Sequence, residues 1–323
     1  MIKGKGKAFE FLVKQILINV GFEEVKSDDI YIYDGSAGQM INGLGEAHNA
    51  DVLLEPPVQI PFFAKTRLLI ECKDYNVNKV GLNVVRSALG LRTDINAYDI
   101  LDYGELERRK AQNRKNKICY TRYSYNVAIA STSGFADQAQ SMAATYRIPL
   151  IELNKYPFWE TWKKALPCFE VKSDCYDKKA VLDYISDLCK GMALAITNTG
   201  QLVFLYNSEK RIRFPSDKCD ISSTKKGESW MLKCSKEEYF FSLPEQIKEH
   251  WINEENKSDI IIDDDRIVTR MVAFFRKNGQ PQIKMLSINL DKIIELSERA
   301  NYKEKIHIEK IDLQNTAEYE SNN

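Results

Sequence analysis

At 323 residues the chain is too long for one ordinary domain and comfortable for two, each able to bury a core without disulfide staples. Its hydrophobic fraction of 44% and charged fraction of 28% are those of a globular protein, and no apolar run approaches the ~20 residues of a membrane-spanning helix, which excludes a helical membrane protein. Lys plus Arg equals Asp plus Glu at 46 each, so no global field draws in a polyanion and any nucleic-acid contact has to be local.

Residues 7 to 20 predict an amphipathic helix, with Phe9, Leu12, Val13, Ile16 and Val20 at helical spacing and Gly21 then Phe22 as its stop. Glu10 and Lys14 interrupt that apolar stretch, which therefore lacks the core of a signal peptide, and a cytoplasmic protein is expected. The polar, Gly-rich stretch from Asp34 to Asn49 reads as loop. Asp51 then opens a short strand over 51 to 55, closed by Pro56 and Pro57. From Arg67 to Lys73 the pattern alternates: Leu68, Ile70 and Cys72 face one side, Arg67, Leu69, Glu71 and Lys73 the other. That periodicity sets Glu71 and Lys73 side by side. A helix follows from Val80 to Leu91, then a long insertion, then a buried strand from Tyr125 to Ser131. Within the insertion, Glu105 to Arg122 holds seven basic residues against Glu105 and Glu107, a local balance of 7 minus 2, or +5. A solvated helix or loop and a phosphate contact fit that stretch equally.

Phe135 to Tyr146 predicts a helix with Ala139, Ala143 and Tyr146 on one face, and Ile148 to Leu153 another strand. Strands alternating with helices in this order imply crossovers with helices packed on the sheet. The aromatic run from Tyr156 to Trp162 marks a change of composition, so the expected units are residues 1–155 and a second, α+β unit over 156–323. There, a helix over 178 to 190, a hairpin from Met192 to Tyr206 turning at Asn198 to Gly200, and strands near Trp230 to Lys233 and Ile267 to Arg276 are expected. The last 20 or so residues read as frayed. Seven scattered cysteines without a CxxC, beside three histidines, suggest reduced thiols and argue against structural zinc. No Walker A loop or helix-turn-helix pattern assigns the second unit a role, which leaves target recognition, partner binding and ligand binding open.

Hydrolysis of a phosphodiester at neutral pH calls for a hard cation held by carboxylates, with waters completing its shell, and for a cationic side chain beside it. Asp51 and Glu71 supply the carboxylates and Lys73 the cation. The Glu-x-Lys spacing alone selects nothing, since Glu24/Lys26, Glu170/Lys172 and Glu255/Lys257 share it. Only Glu71/Lys73 ends an apolar strand, follows an aspartate about twenty residues upstream and precedes a helix. Spacing still leaves open that Glu71 and Lys73 are merely the wet face of a half-buried strand and Asp51 a turn residue.

The series Asp51, Glu71-Cys72-Lys73, helix, strand, Ser131-Thr132-Ser133-Gly134-Phe135-Ala136, helix through Ala139 and Ala143, then Ile148-Pro149-Leu150-Ile151 resembles the Mrr-like branch of the PD-(D/E)XK nuclease superfamily over about residues 5 to 155. The resemblance implies a restriction-endonuclease-like mixed β-sheet core flanked by helices, beside the second α+β domain. It implies an endonuclease acting on DNA, usually double-stranded, with Mg²⁺ as the ion and Mn²⁺ as a substitute. Asp51, Glu71 and Lys73 take the catalytic positions, Asp51 and Glu71 those of the metal ligands, and Glu10 that of an acidic helix residue supporting the metal through water. Ala50 stands where the superfamily has its proline, and Glu71 where the Mrr-like pattern often has Gln. Restriction or phage defence is the setting it suggests, and a homodimer would supply two sites for two strands; a non-catalytic binding module on the same fold is the rival. Glu10 could instead pair with Lys14 one turn on. His48 is a weaker candidate for a base or phosphate ligand, Arg86 and Ser87 for contact with the scissile strand, and Asp263, Asp264 and Asp265 read as a solvated turn.

Overall fold

The apolar spacing from Phe9 onward forms helix α1, Lys5–Asn19, which buries Phe9, Leu12, Val13, Ile16 and Leu17. Beyond it Gly21 takes φ 115°, Phe22 N–H bonds to the Leu17 carbonyl at 3.1 Å and Gly21 N–H to that of Ile18 at 3.1 Å, so two of the helix's last carbonyls are satisfied as the chain turns away. In the computed structural model the described residues are 1–28, 31–36, 38–59, 64–98, 123–223, 229–252, 261–263 and 266–294. The basic stretch from Glu105 to Arg122, Glu255/Lys257 and the C-terminal 20 residues lie outside them.

α1 covers one face of a five-stranded sheet built from β2 (Glu23–Glu24), β6 (Val52–Glu55), β7 (Lys65–Lys73), β8 (Tyr123–Ser131) and β9 (Leu150–Glu152), in that order. β2, β6 and β7 pair antiparallel, whereas β7, β8 and β9 run parallel. The parallel strands are linked through α2 (Leu82–Ala97) and α3 (Asp137–Thr145). Leu68 and Ile70 join the core under α1 and Leu69 the core under α2 and α3, the alternation expected of a strand buried on both faces.

The stretch expected to be loop from Asp34 to Asn49 is instead mostly a three-stranded antiparallel sheet of β3 (Ile32–Gly35), β4 (Gly38–Asn42) and β5 (Ala47–Asn49). Only Ile32 and Ile41 are buried in these strands, one apolar anchor each in β3 and β4, too few for a period to show. A smaller sheet joins β1 (Ile2–Lys3), β11 (Cys175–Tyr176) and β10 (Glu170–Lys172), holding Glu170 and Lys172 on an exposed strand.

The C-terminal half contains a closed ring of seven strands. Their order is β12 (Met192–Thr197), β13 (Leu202–Tyr206), β16 (Glu237–Phe241), β15 (Trp230–Cys234), β14 (Lys218–Ser223), β19 (Gln280–Asn289) and β18 (Arg266–Lys277), and β18 returns to pair with β12. β17 (Ile261–Asp263) extends β18, and β14–β19 is the parallel pairing of this barrel. With α4 (Pro157–Ala165), α5 (Lys178–Cys189) and α6 (Glu245–Ile252), the chain is a mixed α/β structure with six helices among the described residues. None of these helices is long and apolar enough to cross a membrane.

The aromatic run at the expected boundary is core: α4 buries Phe158, Trp159 and Trp162, and Trp159 meets Phe9 edge-on at 6.0 Å. Tyr156 Oη accepts the Phe204 N–H at 3.1 Å, and both hydrophobic clusters draw side chains from either side of Tyr156. The expectation of reduced thiols is corrected at one pair. Cys219 and Cys234 are joined in a disulfide, brought together one step beyond the Asp220–Lys233 pair of β14 and β15.

Candidate functional site

In the β6–β7 ladder Val52 lies opposite Ile70 and Leu53 opposite Leu69. One step before Val52, Asp51 therefore comes level with Glu71, and facing residues of an antiparallel pair share a side of the sheet. Asp51 Oδ2 accepts the Cys72 N–H at 2.9 Å, which pins the carboxylate at the end of the ladder, and Asn49 Nδ2 donates to Oδ1 at 3.3 Å. Lys73 Nζ lies 2.8 Å from Glu71 Oε2, so the two side chains that strand periodicity set side by side are ion-paired.

Burial works against the Lys73 ammonium, but its hydrogen bond to Glu71 and the fields of Glu71 and Asp51 outweigh burial and raise its pKa. Lys73 is therefore a fixed cation at neutral pH rather than a ready base. Burial, reinforced by Asp51, Glu10 and Glu71, pushes the Cys72 thiol well above its ordinary range, which leaves it neutral and inert. The Glu10 carboxyl on α1 is also raised, first by burial and further by Asp51, with Lys7 and Lys73 pulling the other way. Glu10 pairs with Lys7 at 2.7 Å, not with Lys14, which reaches Glu24 at 3.2 Å.

Among the described residues, no group of three His, Cys, Asp or Glu side chains gathers that could hold a metal ion. Mg²⁺ is commonly held by one or two carboxylates, with waters and substrate phosphates filling its shell. Asp51 and Glu71 fit that smaller demand as a pair: Lys73 takes one Glu71 oxygen and leaves the other, and a carboxylate oxygen that accepts one hydrogen bond retains a second lone pair.

Glu71 and Lys73 border a groove of about 490 Å³, with His48 and Asn49 of β5 on one wall and Ser87 and Ala88 of α2 on another. Arg86 is exposed on α2 but does not line the groove. His48 Nε2 lies 2.7 Å from Asp94 Oδ2, near the end of α2. Asp94 also accepts Gly45 N–H at 2.8 Å on its carboxylate and Leu44 N–H at 3.1 Å on its carbonyl. The His48 hydrogen bond first, and the Gly45 amide after it, hold the Asp94 carboxyl below its ordinary range. A Cβ at Gly43 would strike the Asp94 carboxylate and come within 2.7 Å of the Glu46 carbonyl, so the β4–β5 turn needs glycine to close on α2. Asp94 and Gly43 were not singled out from the sequence, where the paired glycines around Leu44 were the available signal.

The turn after β8 braces the other side. Thr132 N–H bonds to the Lys73 carbonyl at 3.2 Å, and its hydroxyl donates to Asp74 Oδ1 and the Tyr75 carbonyl, each at 3.0 Å. Asp263 closes β17 opposite Arg266, in a strand rather than the expected turn, while Asp264 and Asp265 lie outside the described residues.

No protein-family model and no curated protein matches the chain. Among solved structures, AF1548, a protein of unknown function, aligns with 47% of this chain and 60% of its own length at 17% identity, with a TM-score of 0.29. The aligned region thus spans less than two thirds of that protein, and a likeness this weak bears on neither fold nor function.

Proposed function

We propose that the chain is a divalent-metal-dependent endonuclease that hydrolyses phosphodiester bonds of double-stranded DNA. The observation that supports this reading is the Asp51, Glu71 and Lys73 constellation, in which the two carboxylates come level at one end of a ladder and the cation beside them opens on a groove. Asp51 and Glu71 would hold Mg²⁺ or Mn²⁺, with Glu10 as support through water. Such an ion, when bound, polarises the phosphate and makes its water acidic. Lys73, protonated, sets a positive charge where negative charge builds on the phosphate oxygens. The Mrr-like resemblance of residues 5 to 155 points to the same chemistry, in restriction or phage defence, with a homodimer serving two strands. One observation favours a non-catalytic nucleic-acid or protein-binding module instead: Glu71 shares an oxygen with Lys73, and among the described residues no third His, Cys, Asp or Glu gathers with Asp51 and Glu71.

Supercoiled plasmid separates the two. The wild type should nick it with Mg²⁺ or Mn²⁺ and stop with chelator, and Glu71→Ala and Asp51→Asn should lose nicking while unfolding at the wild-type midpoint. Retardation of DNA in a gel with no nicking in either metal would establish the binding module.

A further inference from the structure

The barrel carries a second concavity, about 580 Å³, between the loop from Ile212 to Pro215 and the arm formed by β18 and β19. Its floor is Phe214 and Phe275, each 8% exposed, and its walls are Arg213, Arg276 and Lys277, all exposed. Phe214 stacks on Tyr239 with ring centroids 4.8 Å apart and meets Phe275 at 5.0 Å. Arg213 N–H donates to Tyr239 Oη at 2.9 Å, the Tyr239 hydroxyl donates back to the Arg213 carbonyl, and Lys284 Nζ donates to the Phe214 carbonyl at 2.6 Å. The loop backbone is thus pinned while the Arg213 guanidinium stays in solvent. On the facing arm, Asn278 and Gly279 both take positive φ in a two-residue turn between Lys277 and Gln280, the tight hairpin geometry that keeps strand register.

No acidic residue lines this groove, and none of its three basic side chains is ion-paired among the described residues. Other exposed bases of this half have acidic partners, Arg211 in Glu209 and Glu237, Lys190 and Lys210 in Asp187, and Lys233 in Glu238, whereas Lys179, Lys236, Arg266 and Arg270 form no ion pair among the described residues. What distinguishes the groove is that three unpaired bases line one concavity that no acidic residue enters. In a chain with no net charge, positive charge left uncompensated across one groove is a local attractor for a polyanion. A floor as buried as Phe214 and Phe275 offers no face for stacking bases, so the groove suits phosphates rather than bases.

The arm lies near the end of β6 opposite the candidate site. A Cβ at Gly21 would lie 3.0 Å from Pro281, the partner of Arg276 in the arm, and 3.4 Å from Pro57. Pro57 lies just past one end of β6 and Asp51 just before the other. Six steps of chain reach at most roughly 20 Å, about six steps of duplex DNA at 3.4 Å each. We infer that the Arg213, Arg276 and Lys277 groove contacts the phosphate backbone of duplex DNA, so that the barrel holds the duplex presented to Asp51, Glu71 and Lys73; the identity of this polyanion rests on the nuclease reading.

The test is binding of the full chain to a labelled duplex of arbitrary sequence, by fluorescence anisotropy without divalent metal across a salt series. Arg213→Ala/Lys277→Ala removes two exposed side chains that make no hydrogen bond among the described residues, and leaves Arg276, which also donates to the Ile18 carbonyl at 3.2 Å. Each lost phosphate contact should take about 0.9 from the slope of log affinity against log salt, so the double variant should lose about 1.8 and bind about 60-fold more weakly at 0.1 M salt. Lys163→Ala/Lys164→Ala on α4 removes the same charge and should keep the wild-type slope. A slope and affinity unchanged in the groove variant, an equal loss in the α4 variant, or no duplex binding by the wild type would each overturn the inference. So would poly-glutamate competing charge for charge as well as unlabelled duplex, which would assign the groove to an acidic protein. Plasmid nicking is scored separately: nicking without the slope change removes the groove alone, and the slope change without nicking removes the nuclease reading alone.

Discussion

Replacing Lys73 by Met removes one cation and keeps most of the aliphatic stem. The Lys73 and Glu71 side chains retain 25% and 20% of their surface, so their ion pair is partly solvated. A pair of that kind contributes about 0–1 kcal/mol to stability, and Lys73→Met should stay folded, with an unfolding free energy within about 1 kcal/mol of wild type. The effect on rate is larger, because a preorganised donor aimed at developing charge is worth about 10²–10³ in kcat, or about 2.7–4 kcal/mol. Residual solvent around the pair sets the expectation at the lower end, about a hundredfold. Single-turnover nicking of plasmid at saturating Mg²⁺, beside urea unfolding of the same samples, measures both quantities. Because the folded Lys73 pKa is raised, its stabilising contribution is complete below the ordinary lysine range and is lost only as pH rises through the raised value. The stability difference between variant and wild type should therefore stay constant from about pH 6 to 9. A variant that nicks at the wild-type rate would refute the role given to Lys73. One that loses more than about 3 kcal/mol of stability would show the pair to be a structural support that solvent does not screen.

Three further substitutions test what shapes the groove and what burial does to a carboxyl beyond it. Gly43→Ala forces a Cβ onto the Asp94 carboxylate and the Glu46 carbonyl, so it should cost about 1–3 kcal/mol and slow nicking; Gly45→Ala, whose Cβ would meet Asp94 Oδ1 at 3.2 Å, should be milder, and equal stability of Gly43→Ala and wild type would refute the close approach. Glu152, at the end of β9, is 8% exposed, and burial raises its carboxyl above the ordinary 4.5, with Lys155 and the Phe135 amide opposing. Between 4.5 and the raised value the folded protein keeps a proton the unfolded chain has released, so stability falls as pH climbs through that window and stays lower above it. Glu152→Gln removes this loss and should be more stable than wild type near neutral pH, the gap closing below 4.5; urea unfolding at neutral and acid pH measures it, and a gap that is flat or widens in acid would refute the sign.

Where the answer depended on neighbours along the chain, the sequence alone determined it. Helix α1, the two-faced alternation of β7, the helix from Lys178, the turn at Asn198 to Gly200 and the pairing of Glu71 with Lys73 all follow from periods of 3.6 or 2 and from turn residues. Only the tertiary structure decided the rest, because those contacts join residues that no period connects. Asp51 faces Glu71 through ladder register, twenty residues apart; β18 closes the barrel on β12 across eighty, from Leu194 to Phe274. Short strands with one apolar anchor hid the sheet from Ile32 to Asn49, and with it the turn that ties His48 to Asp94. Glu10 had a lysine available on either side along α1, and the one it holds, Lys7, was chosen when Lys14 found Glu24 across the fold. Cys219 and Cys234 likewise meet because β14 and β15 are in register. A strand's side-chain period says which face a residue takes, but its partner is set by which backbone hydrogen bonds the whole sheet can satisfy at once.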